Sequence, residues 1–303
     1  MAEKPNILLV YVGMIPSVYL CGYVQLEYLQ NAGLVNVRNR TVRKVSREDV
    51  LWADIVTVVR LDCYRDEWLV RQCRKAGKYL IYVLDDDLLN VPTYISGYPY
   101  YGKAETRRRI RSMIDLCDGF ASPSEELLRK YGQGKTCISL IEPSTAQRPE
   151  KSPHGDGRIR LGFAGSIDRG KDIDDILSGA LRQITEKYPE RVVVEMMGPK
   201  TEISEKLGFK TYPYLDSYAA YQDFMAQLNW DIGLAPMPDT PFHRCKHCNK
   251  LVEYAGFGIA GAPLDLEGVA VGLTQCFAHR FGVAGHALAG IRRKKDSPRT
   301  NGA

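Results

Sequence analysis

Short apolar runs alternate along this chain with stretches whose apolar residues recur every three or four positions. Residues 6–12 (NILLVYV) are apolar almost throughout and stop at Gly13. Similar runs at 55–59, 79–84, 119–121, 136–141, 159–164, 192–197 and 232–235 predict strands buried on both faces. Between them, helical spacing predicts helices at 19–31, 66–76, 104–117, 172–187 and 217–228. In 172–187, Ile173, Ile176, Leu177, Ala180, Leu181 and Ile184 share one face. Gly77 is placed to end the helix 66–76, and Ser124 to cap one that runs to 131.

Strands that alternate with helices predict an α/β protein with parallel sheets and helices on both faces. Pro149, Pro153, Gly155 and Gly157 among charges mark residues 144–158 as a linker. The expected organisation is therefore a domain at 1–143, a second at 159–279 and a basic, disordered tail at 280–303. Ligands of such sheets sit beyond the carboxyl ends of the strands, so the two sheets are expected to face a common cleft.

Composition narrows the class. The 303 residues suffice for two domains, and 45% hydrophobic with 25% charged residues indicates a soluble protein. No run of about 18 apolar residues occurs, and no secretory pattern precedes the first strand. The eight cysteines then read as free thiols in a reducing, cytoplasmic setting. The net charge of +5 hints at nucleic acid, but six basic residues and one acid between Arg280 and Ala303 carry all of it. A basic tail on a neutral body argues against a nucleic-acid site.

Two strand–loop–helix units carry the candidate chemistry. One runs from Ile159 through Gly165, Ser166, Arg169 and Lys171; the other runs from Asp231 through Lys246, Lys250 and Glu253. Each places lysine at or near a helix start, and helix N-termini and lysines both favour phosphate. Fixed cations and amides lower the barrier to departure of a nucleoside diphosphate. One carboxylate can accept hydrogen bonds from both ribose hydroxyls.

The blocks FAGSIDRGKD at 163–172, WDIGLAP at 230–236 and residues 242–258 resemble the C-terminal half of GT-B glycosyltransferases, of the family 1/4-like, retaining set. YVLDDDLLNVP at 82–92 and CDGFASPSEE at 117–126 resemble that group more loosely. The resemblance implies two Rossmann-like domains in tandem, the second incomplete. It implies transfer of a sugar from a nucleoside-diphosphate sugar to a saccharide, lipid-linked or other acceptor, in surface polysaccharide or glycoconjugate synthesis. No essential metal and no other cofactor is implied. A cytoplasmic protein is implied, with peripheral association at the inner face of the membrane left open.

By the same resemblance, Gly165, Ser166, Arg169, Lys171, Lys246, Lys250 and Glu253 bind the donor, with Lys171, Lys250 and Asp86 in the catalytic set. Gly13, Asp85 and Asp87 lie on the acceptor side. Relatives often carry a glutamate eight positions before the one matched by Glu253; this chain has Cys245 there. The likeness stops after about residue 261, as for a truncated or frame-shifted end. That leaves a second reading: a catalytically impaired remnant that binds nucleotide or a partner without turnover.

Plainer readings stand beside each motif. Lys171 also fits an ordinary exposed helix start, and Lys250 with Glu253 a solvated i,i+3 pair. Asp85, Asp86 and Asp87 also fit a strand-end turn or a metal-binding cluster. His243, Cys245, His247 and Cys248, with Cys276 and His279, have zinc-like spacing. Lys103, Arg107, Arg108, Arg109 and Arg111 line a basic helix that could attract an anionic carrier. Tyr94, Tyr98, Tyr100 and Tyr101 could stack on sugars or pack a loop.

Overall fold

The computed structural model describes residues 3–140 and 154–264. Two parallel sheets are present, of six and five strands. The first holds β1 (Asn6–Tyr11), β2 (Asn36–Thr41), β3 (Ile55–Val59), β4 (Tyr79–Val83), β5 (Gly119–Ser122) and β6 (Thr136–Ser139) in the order β2-β1-β3-β4-β5-β6. The second holds β7 (Ile159–Ala164), β8 (Val192–Met197), β9 (Lys210–Tyr212), β10 (Ile232–Pro236) and β11 (Ala260–Leu264) in the order β11-β10-β7-β8-β9. Both are doubly wound, and the expected α/β class with parallel sheets flanked by helices is the observed one.

The apolar runs are the inner strands. Leu8, Leu9, Val56, Val58, Leu80 and Tyr82 are fully or almost fully buried, as strands covered on both faces require. Three strands that sequence pattern did not reveal, β2, β9 and β11, all lie at sheet edges. An edge strand meets solvent along one side, so it needs no continuous apolar run. β2 (NVRNRT) shows this: Arg38 and Arg40 reach the buried Asp49, and the Arg38 guanidinium lies 4.2 Å over the Trp52 ring.

The chain divides into two compact units, and they do not follow sequence order. One takes in the described residues up to 140 together with Leu215–Gln227 and Asp239–Phe257. The other takes in the described residues 154–214 with Leu228–Pro238 and 258–264. In the first unit Phe242 and Cys245 join the core of Leu8, Val58, Tyr82, Ile110 and Phe120, and Tyr218 packs on the opposite cluster around Leu9 and Val59.

The helix expected at 19–31 begins earlier, at Pro16, whose fixed φ suits a first helical position. It passes through a π-helical turn, Tyr19–Tyr23, before Val24–Asn31. Within that turn Gly22 lies against Leu9 and Val59, where a β-carbon would come within 3.2 and 3.1 Å of their methyls. Gly77 (φ +70°) follows the helix Tyr64–Lys75, and the Ser124 hydroxyl accepts from the Leu127 amide, as expected of both. The helix expected at 172–187 runs Gly170–Lys187 and buries Ile173, Ile176, Leu177 and Leu181. The tail at 280–303, with Cys276 and His279, lies outside the described residues.

Candidate functional site

In the second unit the strand order reverses between β7 and β10. β7, β8 and β9 proceed outward in one direction, and β10 and β11 lie on the other side. In doubly wound sheets that reversal point, at the carboxyl ends, is where ligands bind. The loop Gly165–Arg169 leaves β7 there and feeds the 18-residue helix Gly170–Lys187. Its shape is fixed by close backbone approaches. Gly198 (φ +100°) meets the Gly165 carbonyl, which a β-carbon would strike at 1.9 Å. A β-carbon on Gly170 would lie 2.7 Å from the Lys200 carbonyl.

The side chains of this loop divide into two roles. Arg169 is mostly covered. It donates to the Pro236 carbonyl at the end of β10 and pairs with Asp172 at 3.2 Å, so it ties the two loops of the reversal point together. Ser166 is exposed, and its carbonyl accepts from the Arg169 amide. Lys171 is 62% exposed and pairs with Asp175 at 2.6 Å across one helical turn. Ser166 precedes the helix start and Lys171 lies in its first turn.

In the first unit the acidic run after β4 is held by cations. Arg60, at the end of β3, has a left-handed backbone (φ +51°), unusual outside glycine. Its guanidinium donates to Asp85 at 2.9 Å, Asp86 at 3.4 Å and Ser17 at 3.0 Å. Lys246 donates to Asp86 at 2.6 Å. Burial pushes the Asp85 carboxyl above its usual range, and its Asp86 neighbour adds to that. Burial also acts on Asp86, but Lys246 and Arg60 outweigh it and hold that carboxyl below its usual range.

Asp87 is placed differently from its neighbours. It is fully buried and accepts from Lys130 at 3.1 Å, Tyr131 at 2.5 Å and Asn90 at 3.0 Å. An acceptor molecule cannot reach it in this packing; it anchors the loop. Cys245 lies on the same cluster, its Sγ 3.1 Å from Lys130 Nζ, in the buried core. Gly13 sits in the loop after β1 with no atom within 4 Å of a β-carbon built on it.

Lys250 and Glu253 lie on the helix Asn249–Gly256. Lys250 Nζ donates to Glu253 at 2.7 Å and to the Tyr221 hydroxyl at 3.2 Å, while that hydroxyl donates to Glu253 at 3.0 Å. Burial pulls the Lys250 ammonium down, but the adjacent Glu253 carboxylate outweighs it and the net shift is upward. The ammonium therefore stays charged. Ser166, Arg169 and Lys171 belong to one unit, and Lys246, Lys250 and Glu253 to the other.

Sequence reasoning passed over Arg60, Lys130, Asp62 and Tyr221. The available signal was polar residues that end an apolar run: Arg60 and Asp62 follow β3 directly. Tyr221 carried no such mark. Of the tyrosines after β4, Tyr100 and Tyr101 donate to Asp62 at 2.9 and 3.0 Å. In the basic helix, Arg107 donates to the Tyr101 carbonyl, Arg109 pairs with Glu105, and Arg111 lies 4.9 Å over the Tyr131 ring. His247 and Cys248 adjoin each other, whereas Cys245 turns into the core. Among the described residues no three His, Cys, Asp or Glu side chains gather as metal ligands.

An α-glucosyltransferase in complex with UDP and a 13-mer DNA has a similar structure, with a TM-score of 0.53 at 8% identity, covering 88% of this chain and 81% of that one. The fold is GT-B. An α,α-trehalose 6-phosphate synthase from Burkholderia multivorans is also similar (TM-score 0.48, 11% identity, 90% of this chain, 85% of that chain). So is the S. aureus MnaA–UDP structure (TM-score 0.46, 14% identity, 76% and 73%). No family model and no curated protein matches the chain. Among the described residues of this GT-B chain, no helix is long and apolar enough to cross a membrane.

Proposed function

We propose that the chain is a glycosyltransferase that moves a sugar from a nucleoside-diphosphate sugar to an acceptor. The observation that carries this reading is the β7/β10 reversal point. A glycine-shaped loop there places Ser166, Lys171 and the start of an 18-residue helix at the carboxyl ends of the strands. In this reading Ser166 and the loop amides receive the diphosphate, and Lys171 exchanges Asp175 for a phosphate oxygen. Arg169 holds the loop in shape. Lys250 stays protonated beside Glu253, ready to offset charge on a leaving phosphate, and Glu253 accepts from ribose hydroxyls. The likeness to a UDP-bound α-glucosyltransferase supports UDP as the first nucleotide to try. Transfer proceeds without a bound metal, with Asp86 and Asp85 on the acceptor side, in glycoconjugate or surface polysaccharide synthesis at or near the inner face of the membrane.

The test is a panel of nucleotides and nucleotide sugars read by melting temperature, followed by nucleotide release. Stabilisation by one diphosphate, reduced about tenfold in affinity by Lys171→Ala and by Glu253→Ala, is the expected result. Stabilisation that survives both variants unchanged refutes the site. Cys245, where relatives carry a sugar-touching glutamate, is buried on Lys130 and Asp87. That favours, as a second reading, a protein that binds nucleotide without releasing it from any sugar.

A further inference from the structure

Two helices lie side by side on the first sheet: Tyr64–Lys75, which joins β3 to β4, and Ala104–Leu116, which precedes β5. Leu69, Val70 and Cys73 of the one and Ile110, Met113 and Ile114 of the other enter a single core cluster, so both helices cover the same side of the sheet. Their outer stripes therefore form one surface. On the first helix Tyr64, Trp68, Arg71 and Lys75 recur every three or four residues, and all are exposed. On the second, Ala104, Arg108, Arg111 and Asp115 do the same. Contacts between the helices fix the stripes beside each other. Glu67 accepts from Arg71 at 2.6 Å and from the Ser112 hydroxyl at 2.8 Å, and the Arg109 guanidinium lies 6.0 Å from the Tyr64 ring centre.

Two features set this surface apart from an ordinary solvated face. The first is aromatic: Tyr64 is 70% and Trp68 54% exposed, one turn apart on the crest of their helix. Rings of these two types favour the headgroup level of a bilayer, where the ring leaves water and its O–H or N–H stays wet. The second is charge. Each helix carries four Arg or Lys residues to two acids. Asp66 is fully buried, Glu67 is taken by Arg71 and Glu105 by Arg109. That leaves Asp115 as the acid set against Arg65, Lys75, Arg108 and Arg111, all exposed.

We propose that this face docks on an anionic lipid bilayer, with Tyr64 and Trp68 entering the headgroup layer and Arg65 and Arg108 meeting lipid phosphates. Exposed aromatics flanked by arginines are the composition of helices that lie in a membrane interface. Rings on a crest need a partner that yields around them, and a lipid layer does so where a rigid partner would need a matching hollow. The proposal gives a surface to the membrane placement offered above and rests on that part of it alone; nucleotide binding is not needed for it.

The experiment is co-sedimentation of the full chain with vesicles of phosphatidylcholine, alone or mixed with phosphatidylglycerol. Binding at least about tenfold tighter to the mixed vesicles, weakening as salt rises, is the expected result. Arg65→Gln with Arg108→Gln should weaken it about tenfold or more, and Tyr64→Ser with Trp68→Ser by a similar factor, with the melting temperature unchanged because all four side chains are exposed. Trp68 emission should move to the blue on the mixed vesicles, and Trp68→Phe should abolish that shift, since Trp230 is fully buried and Trp52 lies under Arg38. The basic tail is the competing source of charge, so Arg292, Arg293, Lys294 and Lys295 are changed to Gln together as a control. Binding lost in that control but kept in both helix variants overturns the proposal. So does equal binding to the two vesicles, binding to heparin or an oligonucleotide without binding to vesicles, or a dimer that Trp68→Ser dissolves. Stabilisation by UDP, measured separately, keeps the readings apart: UDP binding without vesicle binding ends this proposal alone, and vesicle binding without any nucleotide binding ends the donor reading alone.

Discussion

Replacing Arg60 by alanine tests the electrostatic argument for the acidic run. Arg60 is 17% exposed, and its nearest carboxylate, Asp85, is 11% exposed. Removing one partner of a buried pair costs about 3–5 kcal/mol, because the remaining charge stays buried without compensation. Asp86 keeps Lys246 at 2.6 Å, so the loss centres on Asp85 and should fall at the low end, about 3 kcal/mol. That is about a hundredfold in the folding equilibrium. Alanine at φ +51° inherits the same left-handed strain, so backbone relief does not offset the loss.

The pH dependence carries a sign. The folded pKa of Asp85 is raised, chiefly by burial, so its contribution to stability is present below the unfolded value and lost as pH rises through the folded one. Losing the cation raises the folded value further and extends that window upward. The deficit of Arg60→Ala should therefore be largest at neutral pH and shrink towards about pH 4, near the unfolded aspartate value. Urea denaturation followed by circular dichroism, at neutral pH and near pH 4, measures both. A deficit below about 1 kcal/mol at neutral pH, or one equal at the two pH values, refutes the assignment of Arg60 as counter-ion.

Other outcomes follow from particular contacts. Gly162→Ala would drive a β-carbon to 1.8 Å from the buried Trp230 ring, so it should cost at least about 1–3 kcal/mol and lower the melting temperature. An unchanged melting temperature would contradict that packing. Asp49 holds Arg38 and Arg40 and caps the helix Arg47–Trp52 with Ser46. Burial raises its carboxyl, but the Ser46 amide and hydroxyl and Arg40 outweigh burial and leave it below the usual value. Its stabilisation is thus present above the unfolded value and lost as pH falls through the folded one, and Asp49→Asn should cost about 1–2 kcal/mol at neutral pH and less in acid, by urea titration. Burial pushes the Cys73 thiol up to about 11 and the Cys117 thiol up to about 12, whereas Cys137 and Cys248 are exposed. Among the described cysteines, maleimide at mild pH should label Cys137 and Cys248 first, by peptide mass mapping, and early labelling of Cys117 would refute its burial.

Candidate residues could be picked from sequence where they are neighbours in the local chain, and not where elements distant in sequence converge. Ser166 and Lys171 were legible because a buried strand, a glycine loop and a helix start are consecutive in the chain. Lys250 and Glu253 were legible as neighbours on one helical turn. Arg60 was not, since its partners Ser17, Asp85 and Asp86 are brought to it by sheet pairing and nothing in the sequence marks that pairing. Asp87 looked like its two neighbours in sequence, yet it is buried on Lys130 and Tyr131 while they face Arg60 and Lys246.

By itself the sequence determined the α/β class, the inner strands and the amphipathic helices, because burial on both faces of a parallel sheet demands unbroken apolar runs and a helix face demands its own period. Only the tertiary structure decided the strand order, the edge strands and hence the two reversal points. Order depends on which strand lies beside which, a matter of packing between elements rather than of the pattern within any one of them. It also decided that Asp239–Phe257 belongs with the first sheet, since Phe242 and Cys245 bury themselves in its core.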